Sequence, residues 1–332
     1  MTKMKKILAV GLASVLAVSF AACSNGGNAA DDTSAPSEEA NAAAAKTGYS
    51  VISSISDVED TTLTIDSVCA AVLVDADGKI IDVKIDEAQT KPDLATNDGT
   101  VDEAGLRTKL EKKEDYNMKG ASPIGKEWYE QIAAFETWAK GKTADQITAG
   151  VGEDGYASDA DLKAGCTIHV SDIATAVANA VNNAQDLGAS ATDTLKLDIN
   201  TEKYYESNET NLQYDSSYAI VTVDADGKIT SCLIDASQAK CTIEDGKFTV
   251  AEGAFKSKKE LKDEYNMKGA SPIGKEWYEQ AEAFETWAKG KTADQITAGI
   301  GEDGYPSDAD LKAGCTIHAS AIAQNVADAV NA

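Results

Sequence analysis

The chain has 332 residues, room for two cores of ordinary domain size, and 55 acidic against 30 basic side chains leave it a formal net charge of −25. So acidic a protein excludes nucleic acid as a natural partner, because phosphate binding needs a cationic face, and it disfavours electrostatic adhesion to anionic lipid.

In chain order, Lys3, Lys5 and Lys6 precede an apolar run from Ile7 to Phe20 and then Ala21, Ala22 and Cys23. This is the layout of an export leader over residues 1–22, with a run shorter than the roughly 20 residues a spanning helix needs. Small residues ahead of a cysteine resemble the lipobox of bacterial lipoproteins, which implies lipidation of Cys23 and anchoring on the outer face of the cell membrane. Phe20 stands where that motif usually has leucine, and an ordinary signal peptide cut after Ala22 is the alternative. Residues 23–47 are small, polar and aperiodic and read as a flexible tether.

The rest of the chain is a tandem repeat with a constant step of 149 residues. Over Tyr116 to His169 against Tyr265 to His318 there are four differences: Ile132/Ala281, Ala133/Glu282, Val151/Ile300 and Ala157/Pro306. The expected organisation is one domain over 48–183, a linker over 184–194 and a second domain over 195–332. Gly48 to Ser67 and its counterpart hardly match, so recent duplication alone does not explain the agreement elsewhere.

Val68 to Ile85 and Tyr218 to Ile234 each read as strand, DADG turn and strand. The turn lacks the spaced ligands and distal Glu of a calcium loop. A helix is predicted from Ser122 and Pro123 to a stop at Gly141, with Ile124, Trp128, Ile132, Phe135 and Trp138 on one core-facing stripe. Trp128 and Trp277 are read first as core and second as rings able to stack on a planar cofactor. A shorter helix is predicted from Thr143 and from Thr292. The expected class is α+β, with a twisted, mainly antiparallel sheet and packed helices in each repeat.

Five cysteines follow Cys23, and only Cys166 and Cys315 correspond through the repeat; Cys232 with Cys241 is the one local disulfide considered. The block DLKAGCTIH, at Asp161 to His169 and Asp310 to His318, precedes an apolar-periodic helix. Read as a strand entering that helix, it turns Cys166, Ile168 and Val170 to one side and Thr167, His169 and Ser171 to the other. Cys315, Ile317 and Ala319 against Thr316, His318 and Ser320 repeat the split. The polar side then lies near a helix N-terminus, where a phosphate is readily held. His169 and His318 are the only histidines and read either as proton or hydrogen-bond donors at a site or as surface residues beside a turn. A metal or nucleophile built on Cys166 and His169 meets the objection that a strand points them to opposite faces and that each repeat lacks further ligands.

AGCT within this block resembles the flavinylation motif of FMN-binding domains, found in subunits of sodium-translocating and Rnf-type membrane complexes and in surface lipoproteins of Gram-positive extracellular electron transfer. The resemblance implies two tandem FMN-binding domains, with FMN carried as a phosphoester on Thr167 and Thr316 by an ApbE-type flavin transferase. It places Ala164, Gly165, Cys166 and His169 around the first attachment and Ala313, Gly314, Cys315 and His318 around the second. Ala164 and Ala313 stand where the family commonly has serine, and Cys166 and Cys315 where it has alanine; neither change removes the acceptor hydroxyl. The implied function is electron carriage rather than turnover of a substrate of its own. Electrons would come from a membrane quinol oxidoreductase or flavin carrier and pass to ferric iron, soluble flavin or another extracellular acceptor, a ferric reductase activity. The alternative is a flavin-free adhesin or solute-binding lipoprotein.

Overall fold

The computed structural model describes residues 43–332; the leader, Cys23 and the tether as far as residue 42 lie outside the described residues. The first repeat runs β1 (Lys46–Ser56), β2 (Thr64–Val74), β3 (Ile80–Thr90), three single-turn helices α1 (Leu94–Asn97), α2 (Glu103–Leu106) and α3 (Lys109–Lys112), then α4 (Trp128–Ala139), α5 (Ala144–Ala149), α6 (Ala160–Gly165) and α7 (Ser171–Asn182). The second continues with β4 (Thr194–Lys203), β5 (Asn211–Val223), β6 (Ile229–Glu244), β7 (Lys247–Thr249), β8 (Gly253–Phe255), α8 (Lys258–Leu261), α9 (Trp277–Ala288), α10 (Ala293–Ala298), α11 (Ala309–Gly314) and α12 (Ser320–Asn331). The fold is α+β, with two four-stranded sheets in the orders β3-β2-β1-β8 and β4-β5-β6-β7, all pairings antiparallel.

The DADG segments form the predicted turns. Asp75 accepts the N–H groups of Asp77 and Lys79, and Gly78 takes φ +75°, a conformation glycine adopts without a Cβ penalty.

Strands β2 and β5 are apolar on both faces because both are covered. Val68, Ala70 and Val72 pack against α4 and α7 of their own repeat, whereas Cys69, Ala71 and Leu73 meet Leu195, Ile199, Tyr218 and Ile220 from the other sheet. The layers therefore run helices, sheet, sheet, helices. Each repeat keeps its own helix-facing core, and two further cores are shared. Strand β8 of the second repeat pairs with β1 of the first, and the Tyr214 hydroxyl ties β5 to Gly99 and Val101.

This coupling reaches the segments expected to be free. Lys46 and Thr47 already belong to β1, Ala45 and Thr47 donate to Ala189 and Gln185, and so the tether's last residues and part of 184–194 are hydrogen-bonded to one another. The helix expected from Ser122 starts instead at Trp128. Gly125 has φ +63°, which breaks the turn, and the N-terminal box is made by Glu127 and Glu130. Ile124 therefore lies outside the helix, while Trp128, Ile132, Phe135 and Trp138 form its buried stripe. The five described cysteines are buried free thiols. Cys232 and Cys241 lie on one strand, β6, nine residues and about 30 Å apart, too far for a disulfide.

Candidate functional site

The DLKAG part of the repeated block is helix α6, capped at its start by the Asp159 carboxylate, which accepts from Asp161 and Leu162. The CTIHV part that follows is a loop between α6 and α7, not a strand. Its inside-outside alternation nevertheless holds: Cys166, Ile168 and Val170 are buried, Thr167 is half-buried and His169 is exposed. The period of two comes from an extended loop pinned at both ends by helices, with Val170 N–H bonded to Gly155 O at 2.8 Å.

One side chain holds the threonine. Gln131, on α4 and fully buried, accepts with its amide oxygen both the Thr167 N–H (2.8 Å) and the Thr167 hydroxyl (3.1 Å). Its amide nitrogen is in turn fixed by Ser122 Oγ and the Lys126 carbonyl, both at 3.2 Å. Gln280 repeats the arrangement with Thr316 at 2.8 and 3.0 Å, and with Ser271 and Lys275 at 3.2 and 3.1 Å. The segment before α4 is thus a cradle for this glutamine, which gives a physical reason for its near-identity in the two repeats. Because the threonine hydrogen points to the amide, the oxygen's remaining lone pairs are free to face outward.

Gly165 and Gly314 allow α6 and α11 to lie close on α4 and α9. A Cβ at Gly165 would stand 2.7 Å from that of Ala134, and one at Gly314 2.6 Å from that of Ala283. Ala164 and Ala313 are exposed on the outer face of the same helices. Burial pushes the Cys166 and Cys315 thiols up to about 11, so they are inward packing groups rather than thiolates. Cys166 and His169 face opposite ways and do not share a site.

His169 stands edge-on to Tyr156 with ring centroids 5.3 Å apart, and its Nδ1 lies 3.3 Å from Ser171 Oγ. The ring covers Gly155, where an added Cβ would fall 1.9 Å from Nε2. His318, Tyr305, Ser320 and Gly304 reproduce the cluster. Helices α7 and α12 begin at Ser171 and Ser320 with no side-chain cap, so their first N–H groups are uncommitted.

Beside each loop lies a groove. The first, about 290 Å³, is lined by Tyr116, Met118, Trp128, Ile168 and His169 together with Asp66, Glu87, Lys109 and Asp172. The second, about 640 Å³, is lined by the counterparts Tyr265, Met267, Trp277 and His318 and by Lys258, with Tyr204 and Tyr205 at its wall. Lys109 lies 5.0 Å above the Tyr116 ring and 5.6 Å above Trp128, and Lys258 sits likewise over Tyr265 and Trp277. Burial pulls Glu87 and Lys109 both toward neutrality, but the lysine's contact with Glu87 at 2.7 Å outweighs it and holds the ammonium above the ordinary lysine range. At 2.7 Å the pair is ionic.

The sequence singles out both threonines and both histidines as candidates; the structure sets Gln131 and Gln280 against the threonines and Lys109 and Lys258 in the grooves, four residues the sequence did not single out. A signal for the glutamines existed: Gln131 is kept as Gln280 although the next two positions, Ile132 and Ala133, both change.

No family model matches the chain, and no solved structure matches it. A curated protein named chlorophenol reductase, from Desulfitobacterium hafniense, is 30% identical over 90 residues, covering 23% of this chain. The match spans 28% of that relative's length, so the likeness is to part of a reductase-named protein.

Proposed function

We propose that this protein is a cell-surface lipoprotein that carries electrons on FMN esterified to Thr167 and Thr316. The observation that carries the reading is the glutamine-held threonine, present at both repeats in a loop whose histidine, His169 or His318, lines an aromatic-walled groove. A hydroxyl that is half-exposed, oriented through its own hydrogen and flanked by an uncapped helix start is suited to accept a phosphoryl group. The grooves suit a flat ring: they have aromatic and thioether walls, and at about 290 and 640 Å³ they lie near or within the range of small-molecule pockets, roughly 300–1,000 Å³. The partial likeness to a reductase-named protein agrees with redox work.

Attachment is transfer from FAD by an ApbE-type transferase. The threonine oxygen bonds to the FMN-side phosphorus, the pyrophosphate bond breaks, AMP leaves and the hydroxyl proton passes to a base of the transferase. Gln131 keeps its bond from Thr167 N–H after that proton is gone, so the loop stays placed. Bound FMN supplies the one- and two-electron chemistry. The chain's residues hold the ester, wall the ring and set the charge around it. Covalent attachment also prevents loss of the cofactor by dilution outside the cell, where a dissociable ligand is retained only near its dissociation constant. Cys23 anchors the protein to the membrane. A membrane quinol oxidoreductase or flavin carrier donates electrons, and ferric iron, soluble flavin or a similar extracellular acceptor takes them.

The test is expression of residues 24–332 with and without a flavin transferase, followed by denaturing electrophoresis and in-gel fluorescence. The reading expects a fluorescent band only with the transferase; a colourless, folded protein in both arms refutes it.

A further inference from the structure

The two grooves share their aromatic walls but differ in charge. Glu87, which neutralises Lys109, is replaced in the second repeat by Ala236, and Asp172 at the rim is replaced by Ala321. Among the described residues no carboxylate comes within 4 Å of the Lys258 ammonium, which lies half-buried 5.1 Å above Tyr265 and 5.4 Å above Trp277. Charged groups lining the first groove are Asp66, Glu87 and Asp172 against Lys109, a net of minus two. Those lining the second are Glu202 and Asp215 against Lys203 and Lys258, a net of zero.

We propose that Lys258, freed by Ala236, makes the second groove the electron sink of the protein, holding an electron-rich ring more tightly than the first. The inference rests on the covalent-flavin reading above. Two electrons added to a flavin ring leave it electron-rich and, with one proton taken up, anionic. A cation over the aromatic wall favours that reduced form, whereas surrounding carboxylates disfavour it. In a partly water-excluded groove such a charge difference is screened less than at open surface. Electrons entering from any donor therefore collect on the second repeat: a reduced ring at the first gives up two electrons and its proton, and an oxidised ring at the second takes them.

The experiment uses the full mature chain loaded by a flavin transferase. Thr167→Val leaves one flavin on the second repeat and Thr316→Val one on the first, and each is titrated reductively under anaerobic conditions against a reference dye. The second-repeat flavin is expected to be reduced first, with an equilibrium preference of at least tenfold, about 30 mV for a two-electron couple. Ala236→Glu lowers the second potential toward the first, and Glu87→Gln raises the first; either variant suffices if the other fails to fold. Equal potentials, the reverse order, or no response in a folded variant overturn the inference while leaving the flavin reading intact. Protein without flavin overturns both.

Discussion

Replacing Gln131 with leucine is expected to unseat Thr167 and to weaken the first repeat together. The side chain of the buried glutamine makes four hydrogen bonds to oxygen and nitrogen groups, accepting two from Thr167 and donating to Ser122 and Lys126, and a weaker one to Met118 Sδ. Leucine matches its bulk but none of its polarity. The Thr167 N–H and the Lys126 carbonyl lose their partners in the fold, and each group left unsatisfied when buried costs about 1–3 kcal/mol. Thr167 is half-buried and the loop can open to water, so the lower half of the sum applies, roughly 2–4 kcal/mol. Urea denaturation followed by near-ultraviolet signal reads the stability, and flavin loading at Thr167 in a Thr316→Val background reads the placement. The same replacement at Gln280 should give the same pair of losses at the other repeat. An unchanged midpoint together with full loading at Thr167 would refute the reasoning.

Glu136 is pushed up to about 7 by burial, although it accepts the Ile85 N–H and sits near Lys84 and Lys140. Its folded pKa lies above the unfolded value, so its contribution to stability is present below about pH 4.5 and lost as pH rises through 7. Glu136→Gln should therefore raise the melting temperature at pH 8, by an amount corresponding to at most roughly 3 kcal/mol, and change it little near pH 4. Equal effects at both pH values would contradict this. Glu285, its counterpart, pairs with Lys259, whose position in the first repeat is held by Leu110, so Glu285→Gln leaves a partly buried ammonium unpaired and should lower the melting temperature at pH 8. Gly155→Ala places a Cβ against His169 at a φ of +78° and should cost about 1–2 kcal/mol while shifting the His169 ring resonances. Unmoved resonances would mean that Gly155 does not seat the ring.

The DADG hairpins, the Trp128 to Trp138 stripe and the helix following each block follow from local periodicity and turn chemistry, and the structure has them. The loop Cys166 to Val170 has the alternation of a strand but makes only an isolated antiparallel bridge, His169 with Tyr156, and alternation alone does not distinguish an extended loop from a strand. The run VCAAVLV carries a further signal, since an unbroken apolar strand has both faces covered, and here the second cover is the other sheet. Gln131 and Lys109 act across 36 and 22 residues, on Thr167 and Glu87, and no local pattern encodes contacts of that reach.

The central claim is that Thr167 and Thr316 each carry one FMN. Intact mass of the mature chain after co-expression with a flavin transferase measures it directly, compared across the parent, Thr167→Val, Thr316→Val and the double variant. Two FMN increments in the parent, one in each single variant and none in a folded double variant are expected. Flavin persisting in the double variant, or a parent with no mass gain, would contradict the account.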